Sequence, residues 1–302
     1  MSKEKTFINF IKNGNSFMPN HGKMGSADRL PPGVYTFDYS QEAKVFVYEL
    51  MDTTHDNLLD LPSPEFKQVV GQFETFLKPE TRRLYDQYGF LYKRSALLYG
   101  APGTGKTCIV DRVSDHVVKL GGVVLFNPNP EFLQFAFQHI EDVQPDTTVM
   151  VIFEELDELM KRHESTLLNI LDGEIQKANV MYVATTNHID KIPPRIKRPG
   201  RFSSVIEVHT PSAEVRAYYL NIKLGNSPEV ADWVRTTEGL TIDELKETVL
   251  AVKCLGEDLS KVVERVKNTR GADPSDEKEY EVPNPFGISV IKALRPGARK
   301  LA

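Results

Sequence analysis

Cysteine is nearly missing from this chain: Cys108 and Cys254 are the only two in 302 residues. Two thiols build neither a disulfide framework nor a cysteine-ligated zinc site. Long apolar runs are missing too; none approaches the ~20 residues that span a bilayer, and residues 1–7 lack the apolar core of a secretory leader. Positive charge has no excess: 37 Lys and Arg face 42 Asp and Glu, for a net charge of −5. Such a chain has no global field to draw it to nucleic acid. No internal repeat is visible. The expectation is a reduced, soluble, cytoplasmic protein with no membrane partner and no nucleic-acid partner. What is present is a 40% apolar composition, which supports a core, in a length that suits one large domain or two smaller ones.

Patterning divides the chain. Residues 1–70 open as a polar arm, then carry two alternating, β-branched and aromatic runs (34–39 and 44–50) that predict a strand pair ahead of the main domain. Near the end of this stretch begins an apolar set at helical spacing, Phe66, Val69, Val70, Phe73, Phe76 and Leu77. Across 71–210, helical and strand patterns alternate, which predicts an α/β domain with a parallel sheet. Across 211–268 the pattern is helical only, with Leu240, Leu245, Val249, Leu250, Val252 and Leu255 as one face of a small all-α domain. Residues 269–302, charged and proline-bearing, read as a linker and tail.

The sharpest motif is Gly100-Ala101-Pro102-Gly103-Thr104-Gly105-Lys106-Thr107. It fits G-x-x-x-x-G-K-[ST] without a mismatch, between a short apolar strand (95–99) and a helix start at Cys108. Each residue type has a task. The glycines let backbone N–H groups curl around phosphate oxygens, Lys106 places an ammonium at the β- and γ-phosphates, and the Thr107 hydroxyl takes a Mg²⁺ position. The nucleotide-binding set is therefore residues 100–108.

A second apolar run, 149–153, ends in Glu154-Glu155. In an open parallel sheet its carboxyl end lies beside the phosphate loop. One acid is needed for the metal and one to polarise the attacking water; Glu154 is assigned the metal and Glu155 the water, because the pleat turns successive side chains to opposite faces. A third run ends in Thr185-Thr186-Asn187, where an amide suits both the γ-phosphate and the water. Arg198-Pro199-Gly200-Arg201 then presents two guanidinium groups on a tight turn. They suit the spread charge of a phosphoryl-transfer transition state; ordinary surface salt bridges are the plainer alternative.

In this order the segments resemble an AAA ATPase of the AAA+ superfamily over about residues 72–267. Gly100 to Thr107 match the Walker A motif, residues 150–155 Walker B, Asn187 sensor 1, and Arg198 with Arg201 the arginine fingers. Within the family the chain looks most like the Bcs-type group, through residues 76–99, the run Glu154-Glu155-x-Asp157, residues 167–173 and Thr185-Thr186-Asn187-His188, but without that group's membrane anchor. The resemblance implies a P-loop sheet followed by a helical lid, Mg²⁺-dependent ATP hydrolysis, a homo-oligomeric ring (hexamer or heptamer) and a protein client to remodel or translocate. Two alternatives stay open: a nucleic-acid motor or loader on the same fold, and a nucleotide-dependent scaffold with little turnover. Three departures stand out. The usual Walker B Asp is Glu154. The helix start at 239–246 carries no arginine where sensor 2 would be. Residues 126–130 run straight into 131–144, which leaves little room for the family's aromatic pore loop and makes Phe132, Phe135 and Phe137 core candidates.

Overall fold

The computed structural model describes residues 9–20, 26–41, 44–52, 59–172 and 178–269. The tail beyond 269, most of the N-terminal arm's first residues and Gly173 lie outside the described residues. In chain order the strands are β1 (Asn9–Asn13), β2 (Ser16–Asn20), β3 (Ser26–Ala27), β4 (Gly33–Ser40) and β5 (Val45–Leu50). Helices α1 (Pro64–Phe76) and α2 (Pro79–Tyr88) follow. The alternating stretch is β6 (Lys93–Tyr99), α3 (Lys106–Lys119), β7 (Val123–Phe126), α4 (Leu133–Val143), β8 (Val149–Phe153), α5 (Leu156–Asp172), β9 (Val180–Thr186) and β10 (Ser204–Glu207). The helical end is α6 (Ala213–Leu224), α7 (Val230–Thr236), α8 (Ile242–Val249) and α9 (Leu259–Thr269).

All five residues of β8 and all seven of β9 are buried. A strand apolar on both faces needs cover on both. The pleat delivers it by alternation: Val149, Val151 and Phe153 enter one apolar cluster with α4 and α5, while Met150 and Ile152 enter another with α1 and α3. The strands pair in the order β10-β6-β9-β8-β7, all parallel. This puts the carboxyl ends of β6, β8 and β9 together on one rim, where ligands of such sheets bind.

The strand pair expected ahead of this sheet is continuous with it. β4 runs parallel to β7, pairing Gly33 with Val123 and Tyr35 with Leu125, and β5, β2, β1 and β3 extend the order to ten strands. Phe10, Phe17, Tyr35, Phe37 and Tyr48 lie in the same cluster as α4 and α5. The Leu30 N–H donates to the Gln144 side chain at the end of α4 (2.7 Å). Alternation alone shows that a strand has a buried face, not which strand lies beside it.

A third cluster forms the helical end, from Val215, Tyr219, Leu220, Trp233, Leu240, Leu245 and Val263, joined by Leu61. The single apolar face expected up to Leu255 fails after Val249. There the chain enters a π-helical turn, Leu250–Cys254, closed by Leu255 N–H to the Leu250 carbonyl (3.3 Å). The extra residue per turn rotates the stripe. Leu250 and Leu255 are left exposed, while Val249 and Val252 pack partly against the cluster.

Candidate active site

The phosphate loop bridges β6 and α3. Gly100, Gly103 and Gly105 all take positive φ (152°, 75° and 100°), which L-residues with a Cβ rarely adopt. At Gly100 space is decisive as well, since a Cβ would meet the Val208 carbonyl oxygen at 2.3 Å. Gly105 is the N-cap of α3 and supplies no capping side chain, so the first-turn N–H groups there have no side-chain acceptor. Lys106 is buried, at 7% exposure, and its Nζ folds back onto the Gly100 and Ala101 carbonyls (2.8 and 2.9 Å). Thr104 braces the same turn through Oγ1 to the Ala101 carbonyl (3.0 Å). Burial pushes the Lys106 pKa down, opposed by the charge of Asp243.

The acids stand opposite. Thr107 Oγ1 donates to Glu154 Oε1 at 3.3 Å. The half-buried Glu154 carboxyl is pushed up by burial, and the Thr107 hydrogen bond works against that rise. The Glu154 N–H donates to Asn127 Oδ1 (2.7 Å), and Asn127, itself at φ 42°, donates its N–H to the Ile152 carbonyl (2.9 Å). The end of β7 thereby holds the end of β8. Glu155 has φ 51°, and its carbonyl accepts the Glu158 N–H (2.8 Å) to start α5. The chain has left the strand there, so the pleat no longer sends the two acids to opposite faces; both line one pocket. Assigning them by alternation therefore rests on a geometry the chain does not keep.

Asn187 lies exposed at the tip of β9. Behind it the Thr186 hydroxyl donates to the buried Asp157 carboxylate (2.6 Å) and accepts the His188 N–H (3.0 Å), fixing the turn that carries the amide. One pocket of about 210 Å³ gathers Lys106, Thr107, Glu154, Glu155 and Asn187. Pro102, Gly103, Gly105 and Cys108 also line it; burial raises the Cys108 thiol. Two lining residues were given no site role from the sequence, Thr185 and Asp243. Thr185 lies two residues before the amide in the same polar strand end, and Asp243 comes from the helix start at 239–246, where an arginine rather than an acid was looked for.

Arg198 and Arg201 do not line this pocket. Arg201 forms a two-pronged ion pair with Asp172 (Nε–Oδ1 and Nη2–Oδ2, both 2.5 Å) and donates from Nη1 to the Arg195 carbonyl. Its hydrogen bonds hold the Asp172 carboxyl below the usual carboxylate range. Arg198 is exposed; its carbonyl accepts the Arg201 N–H (3.1 Å), and its charge also helps lower the Asp172 carboxyl.

The donor set fits a magnesium nucleotide. Mg²⁺ takes one or two protein oxygens and completes its shell with phosphate and water. Thr107 and Glu154 converge as such a pair, and among the described residues no cluster of three or more His, Cys, Asp or Glu offers a protein-only metal cage. The uncapped start of α3 and the buried Lys106 suit an anion. Among the described residues no helix is long and apolar enough to cross a membrane.

Comparison with known proteins agrees with this geometry. Residues 96–210 match the model of the ATPase family associated with various cellular activities (AAA). The chain is 30% identical to a cell division cycle protein 48 homolog of Archaeoglobus fulgidus over 60% of its length, which is 26% of that protein. It is 25% identical to a proteasome-activating nucleotidase of the same organism, over 86% of this chain and 69% of the relative. A Bifidobacterium adolescentis protein named AAA ATPase forming ring-shaped complexes is 30% identical over 49% of this chain and 35% of its own length. The chain thus spans about a quarter of the length of the first relative. The finer likeness to the Bcs-type group rests on the four passages quoted above. With its phosphate loop, acid pair and β9 amide on one rim of a parallel sheet, the chain carries an AAA ATPase domain at residues 96–210.

Proposed function

We propose that this protein hydrolyses ATP with Mg²⁺ in a homo-oligomeric ring, hexameric or heptameric, and uses the turnover to remodel or translocate a protein client. The observation that carries this reading is the split of the charged groups. Lys106, Thr107, Glu154, Glu155 and Asn187 share one pocket, whereas Arg198 and Arg201 lie outside it on their own turn. In this reading the loop N–H groups and Lys106 hold the β- and γ-phosphates, Thr107 and Glu154 hold the metal, and Glu155 with Asn187 orients the water. Mg²⁺, when bound, spreads the developing charge on the phosphates. Arg198, exposed, reaches the pocket of a neighbouring copy; Arg201, tied to Asp172, stiffens the turn that presents it.

The client is held without the usual threading grip. Only residues 127–129 separate β7 from the turn Pro130–Phe132 that opens α4. Phe137 is buried and Phe132 partly so. Phe135, expected in the core, is 45% exposed and stacks on Phe46 at 4.8 Å between ring centres.

The test is subunit complementation. ATPase rate is measured for Lys106→Ala mixed with Arg198→Ala, and separately with Arg201→Ala, each variant being nearly inactive alone. A shared site restores activity on mixing, because the intact pocket of the arginine variant meets the intact arginine of the Lys106→Ala subunit, and an arginine supplied in trans is worth about a thousandfold or more. Mixing that restores nothing removes the shared site. Stimulation by DNA or RNA with a steep salt dependence would favour the motor or loader instead.

A further inference from the structure

Helix α8 starts on the phosphate loop. Thr241 caps it in a closed box: the Glu244 carboxylate accepts the Thr241 N–H (2.6 Å), and Thr241 Oγ1 accepts the Glu244 N–H (3.4 Å). The two N–H groups between them point at the loop instead. Ile242 and Asp243 both donate to the Gly103 carbonyl, at 3.0 and 3.3 Å. The approach is tight: a Cβ on Gly103 would lie 2.8 Å from Thr241 Oγ1 and 3.1 Å from Asp243 Oδ2. The Asp243 carboxylate shares the pocket of Lys106, Thr107, Glu154 and Glu155, and its charge favours the protonated Lys106. An acid therefore stands beside the loop that must receive a polyanion, on the element that joins the lid to that loop.

We propose that Asp243 is an electrostatic gate between nucleotide and lid. Without nucleotide it answers the positive field of Lys106 and keeps α8 on Gly103. A polyphosphate claims Lys106 and repels the carboxylate, so its charge is transmitted as a push on α8 and through it on the helical domain. The same repulsion makes nucleotide bind less tightly than a neutral residue would allow. The inference rests on reading the loop as a nucleotide site. It adds that Asp243 makes both affinity and lid position depend on phosphate number. Because Asp243 is exposed, the effect is moderate and screened by salt.

The experiment compares the whole chain with Asp243→Asn, which keeps the side-chain shape and removes the charge. Binding of adenosine mono-, di- and triphosphate is measured calorimetrically at two salt concentrations. Amide hydrogen exchange at Ile242 and Asp243 is followed in parallel. The gate predicts that Asn tightens triphosphate binding about fivefold at low salt, diphosphate less and monophosphate least, with the differences shrinking in high salt. It also predicts that triphosphate speeds exchange of the two amides in wild type and does so less in the variant. An equal change for all three nucleotides overturns the gate, as does weaker triphosphate binding, which would make Asp243 a direct ligand. Wild type that is folded and binds none of the three overturns the active-site reading, and the gate with it.

Discussion

The phosphate pocket and the arginine turn are built from the same kinds of residue and settle their charges differently. In the pocket Lys106 is buried and satisfied by the carbonyls of its own loop, while Thr107 and Glu154 hold each other across it. These groups are pre-set by short-range geometry and wait for a ligand. On the turn, Arg201 is consumed by Asp172 in its own chain and Arg198 points to solvent. On the proposed reading, the pocket is one half of a hydrolysis site and the turn is a device that presents Arg198 to another copy, with Arg201 held as a positioning element by its bidentate pair.

The largest break in that comparison comes from the pocket. Lys106→Ala removes a buried ammonium with its charge-assisted contacts and should weaken ATP binding by about 2 to 3 kcal/mol, on the order of a hundredfold in Kd. A direct titration that finds less than about threefold would mean the loop holds phosphate by backbone alone. Next is Glu155→Gln. Loss of the base should lower kcat on the order of a hundredfold or more with Kd nearly unchanged; single-turnover hydrolysis at the wild-type rate would return the water-activating role to Glu154 or another group.

The smallest effect tests the turn. Asp172→Asn should cost at most about 1 kcal/mol at neutral pH, because Asp172 is 43% exposed and the pair is screened. The sign follows from its depressed carboxyl. The stabilisation is present above about pH 4, the unfolded carboxylate value, and is lost as pH falls through the lower folded value. Denaturant melts of the two proteins should therefore converge in acid. A gap that stays constant down to low pH would mean that Asp172 acts by packing rather than by its charge.

Much of this was legible in the order of residues. The strand–loop–helix around Gly100–Thr107, the fully buried β8 and the apolar face of α1 all depend on neighbours within one turn or one strand, so local pattern is enough. Where an expectation failed, the backbone left the regular period or a distant contact decided. The π-helical turn at Leu250–Cys254 rotated a helical stripe that spacing had predicted to continue. The left-handed backbone at Glu155 undid an alternation argument one residue past the strand. Phe135 on α4 is left at the rim, stacked on Phe46 of β5, instead of being buried in the core.

By itself, then, the sequence determined the phosphate loop, the acids and amide at successive strand ends, and the change from α/β to helical pattern. Each of these is a short-range match of residue type to backbone need. Only the tertiary structure decided that β4 lies beside β7 and carries the N-terminal strands into the main sheet, that Arg201 is spent on Asp172, and that Asp243 stands over Gly103. Those are contacts between residues far apart in the chain, set by which surfaces bury best against each other, and no periodicity encodes them.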